Sequence, residues 1–133
     1  MRSISILAAR NDNIARCVSA WLAIIGIGRG PGIGRGIMST VTVALPVLTA
    51  NLALELAPVR VNLIAPGFVD TPLSASLLGD ELENRRRQLR ETLPIRRVVG
   101  PADVAALAVH IMINTALTGA TYDIDGGQQL VAV

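Results

Sequence analysis

Few side chains in this sequence can do chemistry, so the first question is whether any of them can act together. Tyr122, Cys17 and His110 are each the single example of their type, and all twelve basic residues are arginine, so the chain holds no lysine. A lone thiol closes no intrachain disulfide and builds no Cys-x-x-Cys metal site. His110 falls in a helical pattern, where packing or a charge at the helix end is expected of it rather than metal ligation or base catalysis. Ser39, Thr40 and Thr42 lie close together, but an unactivated hydroxyl is a poor proton donor near neutral pH. They are read as residues of a helix N-terminus.

Two loops have the composition to meet a ligand through backbone groups. The first is glycine-rich and runs from Gly26 to Gly36; Gly28, Gly32 and Gly34 have a G-x-x-x-G-x-G spacing between an apolar run and a helical pattern. Such a loop can cradle a phosphate at a helix N-terminus, and Arg29 and Arg35 would favour an anion there. No acidic residue follows at the end of a second strand to hold a ribose; Glu55 is near the right distance but falls on a helix. The second loop runs from Pro66 to Thr71. A Pro-Gly turn at the carboxyl end of a strand exposes backbone groups and the Thr71 hydroxyl where open α/β sheets bind ligands. The plainer alternative is that Pro-Gly turns the chain and Thr71 caps the next helix.

The elements that must position these loops alternate in type. Residues 1–19 are mixed in polarity, with Asn11, Asp12 and Asn13 in the middle, and read as a weakly specified arm or helix. Ala20 to Ile27 reads as a short buried strand. From Ile37 to Ala57, the residues Val41, Ala44, Leu45, Leu48, Leu52 and Leu56 recur at helical spacing, with a kink or a missing bond expected at Pro46. Val59 to Ala65 is a β-branched, aliphatic strand. Thr71-Pro72 starts a short helix, and Ser74 to Leu93 is polar and arginine-rich, as one or two surface helices over a cleft would be. Another helix runs from Pro101 to about Ile113, and a final strand from Ala120 to Asp125 stops at Gly126-Gly127. Strand, helix, strand, helices, strand makes two right-handed crossovers and a parallel sheet of about three strands.

Composition agrees with one α/β domain. The chain has 133 residues, with 51% hydrophobic, 17% charged and 2% aromatic content, so its core is aliphatic, as the interiors of parallel sheets are. The net charge of +2 is spread out except at Arg85, Arg86 and Arg87, which lie beside Asp80, Glu81 and Glu83. That cluster reads as a solvated helix face, and no nucleic-acid partner is expected. The apolar run from Val18 to Ile27 is well short of the ~20 residues of a bilayer span. No A-x-A cleavage pattern follows it, so neither membrane insertion nor a targeting peptide is expected, and a cytoplasmic location is.

The stretch from Asn51 to Pro72, NLALELAPVRVNLIAPGFVDTP, resembles the short-chain dehydrogenase/reductase family, whose members carry an R-V-N-x-I-x-P-G-x-V-x-T strand and turn. The segment from Gly100 to Ala105 is similar to the start of that family's penultimate helix, and the tail from Thr118 to Val131 to its last strand and D-G-G turn. The resemblance covers about residues 20–131, the C-terminal half of a Rossmann-like domain. It implies an NAD(P)-dependent alcohol or carbonyl oxidoreductase by ancestry, with Pro66, Gly67, Val69 and Thr71 at the positions that hold the nicotinamide carboxamide. It also implies a tyrosine, a lysine four residues later and a serine about thirteen residues before the tyrosine. These positions fall on Met38, Thr42 and near Ile25. Because the chain has no lysine, and its tyrosine lies in the final strand, no shift of register restores the set. The expectation is therefore a truncated, non-catalytic relative whose first four strands are absent or on another chain. NAD or NADP would be its cofactor by resemblance only. The alternatives are an oligomerising or binding protein, pairing with its own copies or through an exposed strand edge, and a small anion-binding module using Gly28 to Gly36.

Overall fold

The computed structural model describes residues 17–21 and 36–131. The element order is β1 (Cys17–Trp21), α1 (Gly36–Glu55), β2 (Arg60–Pro66), α2 (Pro72–Leu78), α3 (Leu82–Thr92), α4 (Pro101–Ile113) and β3 (Thr121–Ile124), with short 3-10 turns at Gly79–Glu81 and Gln128–Leu130. The three strands form one parallel sheet in the order β1-β2-β3. The expected α/β sheet of about three strands is therefore present.

Its central strand explains the layering. Val61, Asn62, Leu63 and Ile64 are all buried, and four consecutive buried residues in a strand require cover on both faces. Ile64 packs with Ala108 and Ile111 of α4 and with Tyr122 of β3. Period-two alternation turns Val61 and Leu63 to the other face, and α1 packs on β2. A second apolar cluster of Phe68, Leu89 and Leu93, with Leu78, Leu82, Val98 and Val131 around it, lies under the α2–α3 segment. This segment thus has a small core of its own.

Two expectations need correction. The first strand begins at Cys17, not Ala20, because its register pairs Cys17 with Arg60 and Val18 with Val61. Cys17 to Ser19 therefore belong to the sheet and not to an arm; residues 1–16 and the remainder of the expected strand, 22–27, lie outside the described residues. The helix α1 runs from Gly36 through Pro46 as expected, with one ladder bond missing there because the ring nitrogen has no proton to give. Its buried face also differs from the expected one. Thr49 is buried, its hydroxyl donating to the Leu45 carbonyl at 2.8 Å, whereas Val41 and Leu48 are exposed. A helix apolar on nearly every side gives its periodicity little power to choose a face.

Arg60 fastens α4 to the sheet. Its guanidinium donates to the carbonyls of Ile111, Asn114 and Leu117 through Nη1 at 2.9, 3.0 and 3.2 Å, and to Met112 through Nη2 at 2.8 Å. A helix C-terminus ends in carbonyls with no partner of their own, so a cation that satisfies several of them stabilises that end.

Candidate functional site

The 66–71 loop is built by three segments distant in sequence. At its start, Gly67 N–H donates to the Ile124 carbonyl at 3.3 Å, extending the pairing of β2 with β3. A Cβ on Gly67 would lie 2.6 Å from Asp125 Cβ and 2.8 Å from Gln128 Oε1, so only glycine lets the two turns meet. Gln128 Oε1 accepts a bond from Phe68 N–H at 3.0 Å. Farther along, Val69 bridges Val99 in parallel fashion, and Asp70 N–H donates to the Val99 carbonyl at 2.9 Å.

The D-G-G turn that supports this loop is itself tightly specified. The buried carboxylate of Asp125 accepts from Gly127 N–H at 2.8 Å and from Gln129 N–H at 3.0 Å. Gly127 has φ of 85°, and a Cβ there would lie 2.6 Å from Pro94 Cγ; both the conformation and the close approach exclude a side chain. Beside this turn, between the end of the lid segment and α4, is an open cleft of about 430 Å³ walled by Pro94, Ile95, Val99, Ala106 and Ile124. The Arg97–Asp103 pair, bonded at 2.7 and 2.8 Å, lines it. That guanidinium, with help from the Gly100 N–H, holds the Asp103 carboxyl down to about 2.

Thr71 ends the loop and starts α2. Its hydroxyl accepts from Ser74 N–H at 3.1 Å, and Ser74 Oγ accepts in return from Thr71 N–H at 2.8 Å, a reciprocal capping box. Ser74 is fully buried and Thr71 half-buried. The plainer reading of Thr71 as a cap thus holds. The four expected site residues, Pro66, Gly67, Val69 and Thr71, are brought together in one continuous segment at the carboxyl end of β2. The glycine run from Gly28 to Gly34 and the position near Ile25 lie outside the described residues. Ser39, Thr40 and Thr42 fall in the first two turns of α1, with Thr40 Oγ1 donating to the Gly36 carbonyl at 2.8 Å.

Sequence reasoning missed the supporting residues. Asn62 stood inside the recognised motif, yet its work is structural: fully buried, it donates from Nδ2 to the Leu117 carbonyl at 3.0 Å and accepts from Ala120 N–H at 3.3 Å. Gln128 had no local signal at all. Arg86 was read as part of a solvated face, but it leaves its helix to bond Asp70 at 2.9 and 2.7 Å, and it also pairs with Glu83. Hydrogen bonding to these two carboxylates raises the Arg86 pKa further.

Residues 19–129 match the family model described as Enoyl-(Acyl carrier protein) reductase. Among curated relatives, an uncharacterized oxidoreductase of Mycobacterium tuberculosis is 39% identical over 105 residues, covering 76% of this chain and 39% of its own length. Dehydrogenase/reductase SDR family member 4 of Sus scrofa is 41% identical over 88 residues, covering 63% of this chain and 31% of its own. Among solved structures, a small-chain dehydrogenase in complex with NADPH superposes with a TM-score of 0.74 at 27% identity, covering 86% of this chain and 51% of that one. The chain thus spans roughly a third to a half of the length of these relatives. A parallel sheet whose Pro-Gly and D-G-G turns interlock, together with a model match over most of the chain, makes this protein a member of the short-chain dehydrogenase/reductase family.

Proposed function

We propose that this chain is the carboxyl-terminal part of an NAD(P)-dependent alcohol or carbonyl oxidoreductase by descent, and that alone it transfers no hydride. The observation that carries this is chemical. The chain has no lysine, and its one tyrosine, Tyr122, packs on β3 with Ile64, Ala108 and Ile111, not on α1. Met38 and Thr42 stand on α1 where the resemblance expects the tyrosine and lysine. Without a phenol tuned by a neighbouring cation, no group on α1 is matched to proton donation near neutral pH.

In this reading Pro66, Gly67, Val69 and Thr71 hold the carboxamide of NAD or NADP. The residues fit such a group: the Phe68 and Asp70 side chains are committed to α3, and the half-buried Val69 between them is not part of that apolar cluster. The cofactor, when bound, would donate or accept the hydride. This chain's own part would be to orient the nicotinamide ring.

The exposed aliphatic residues of α1, among them Ile37 at 81% and Leu54 at 78%, favour a second reading in which the chain works as an oligomer or pairs through an exposed strand edge. No helix among the described residues is long and apolar enough to cross a membrane. We place the protein in the cytoplasm, where a lone cysteine stays reduced.

The test is to mix the purified chain with NADH or NADPH and a panel of aldehydes and ketones while following loss of the reduced nicotinamide. No turnover above buffer is expected. Turnover at an enzyme's ordinary rate, ~1 s⁻¹ or faster, would overturn the non-catalytic reading.

A further inference from the structure

The arginines of α3 do not behave alike. Arg85 bonds Gln88 and Arg87 bonds Asn84, each within the helix at i,i+3 spacing. Arg86 instead crosses to Asp70, sixteen residues earlier, and grips both carboxylate oxygens through Nε and Nη2. A planar guanidinium makes this fork and an ammonium cannot. Both side chains are partly shielded, at 27% and 30% exposure, unlike Glu83 at 70%. The neighbouring Arg85 guanidinium lies 5.9 Å from the centroid of the Phe68 ring, and that ring is buried against Leu89 of the same helix and Leu93 just after it. Two loop positions, Phe68 and Asp70, are therefore both held by α3.

The loop is held from the other end as well, since Gln128 takes the Phe68 N–H. Between them the segment from Val69 to Thr71 leads straight into the Thr71 cap and α2. We propose that Arg86 is a positioning residue that couples the α2–α3 lid to the 66–71 loop through Asp70, so that lid and loop order as one unit. The inference rests on the reading that this loop meets the nicotinamide. Arg86 bonds Asp70, which is not among the residues read as holding the carboxamide, so it works through Asp70 without touching the cofactor.

The test uses the full chain with Arg86→Gln, Arg86→Lys, and the exchanged pair Asp70→Arg with Arg86→Asp. Amide hydrogen exchange is read at residues 68–71 and 85–92, and NADPH affinity by fluorescence titration. Arg86→Gln is expected to speed exchange in both segments by about two- to fivefold, the scale of one shielded ion pair, and to weaken NADPH binding by a similar factor. Arg86→Lys keeps the charge without the fork and should fall between; the exchanged pair should recover part of the loss. Faster exchange in α3 with residues 68–71 unchanged would overturn the coupling, whichever variant shows it. Loosening of both segments with unaltered NADPH affinity would overturn the positioning role. If the unmodified chain binds no NADPH, the cofactor reading of the loop fails, while the exchange data still decide the coupling.

Discussion

Asn62 offers the sharpest test of how the site is held, because it is fully buried and both ends of its amide are engaged. Replacing it with leucine fills similar space but strands the Ala120 N–H and leaves the Leu117 carbonyl with its bond from Arg60 Nη1 at 3.2 Å. Each buried backbone group left without a partner costs about 1–3 kcal/mol. One stranded N–H and one carbonyl that keeps a single donor make a total of about 1–3 kcal/mol expected. With a urea dependence of about 1–3 kcal/mol per molar, the unfolding midpoint followed by circular dichroism should fall by roughly 0.5–1.5 M. Asn62→Asp separates the two bonds. It keeps an acceptor for Ala120 N–H, but its carboxylate has no proton for the Leu117 carbonyl and is buried, so its folded-state pKa must rise above the ordinary ~3.9. A raised carboxyl contributes stability that is complete below the unfolded value and is lost as pH rises through the folded one. The Asp variant should therefore approach the parent chain near pH 4 and fall behind it progressively toward pH 8, with the parent measured at each pH as reference. An Asp variant with a pH-independent deficit, or a Leu variant within about 0.5 kcal/mol of the parent, would refute the claim that this amide ties β2 to the 117–120 crossing.

Three further outcomes are expected. Gly67→Ala should destabilise the chain by about 1–3 kcal/mol, since its Cβ would meet Asp125 and Gln128 at less than van der Waals distance; thermal unfolding that matches the parent would show that the two turns can separate freely. Arg60→Met should cost about 1–2 kcal/mol and speed amide exchange in the last turn of α4, where the Ile111 and Met112 carbonyls lose this donor; unaltered exchange there would remove Arg60 from the account. Asp103, held down to about 2 by Arg97, contributes stability above its unfolded value that is lost as pH falls through the folded one, so Asp103→Asn should flatten the acid limb of stability between about pH 4 and pH 2.

How much of this was legible in the sequence depended on the range of the interaction involved. The strand at Arg60–Pro66, the Thr71-Pro72 helix start and the Pro101 helix are set by local signals: β-branched runs, a capping hydroxyl and prolines at the first helical position. Each was found within a residue or so. The start of the first strand was misplaced because it is set by register with β2 and not by its own apolar run. The buried face of α1 was misread because Val41, Val47 and Leu48 look as apolar as Leu45 and Leu52, and only the sheet chooses between them. The turn that carries the four expected site residues was legible through the motif. What fixes them was not: Gln128, Arg86 and Val99 lie 60, 16 and 29 or 30 residues from their loop partners, and nothing near them in sequence announces the contact.

That pattern of support bears on what this chain can do without the rest of its relatives' length. Every contact described for the 66–71 loop comes from within residues 64–131: Ile124 at Gly67, Gln128 at Phe68, Val99 at Val69 and Asp70, Arg86 at Asp70, Ser74 at Thr71. The glycines at 67, 126 and 127 permit close approaches inside the same set of residues, to Asp125, Ile95 and Pro94. Among the described residues the shape of the loop is therefore encoded beside the loop, so in the proposed reading a nicotinamide-facing segment can be prearranged in a chain that has no lysine and no tyrosine on α1. In that reading orientation and proton transfer are separable because they draw on different elements: the first on β2, β3 and the α2–α3 segment, the second on a helix whose matched positions carry methionine and threonine.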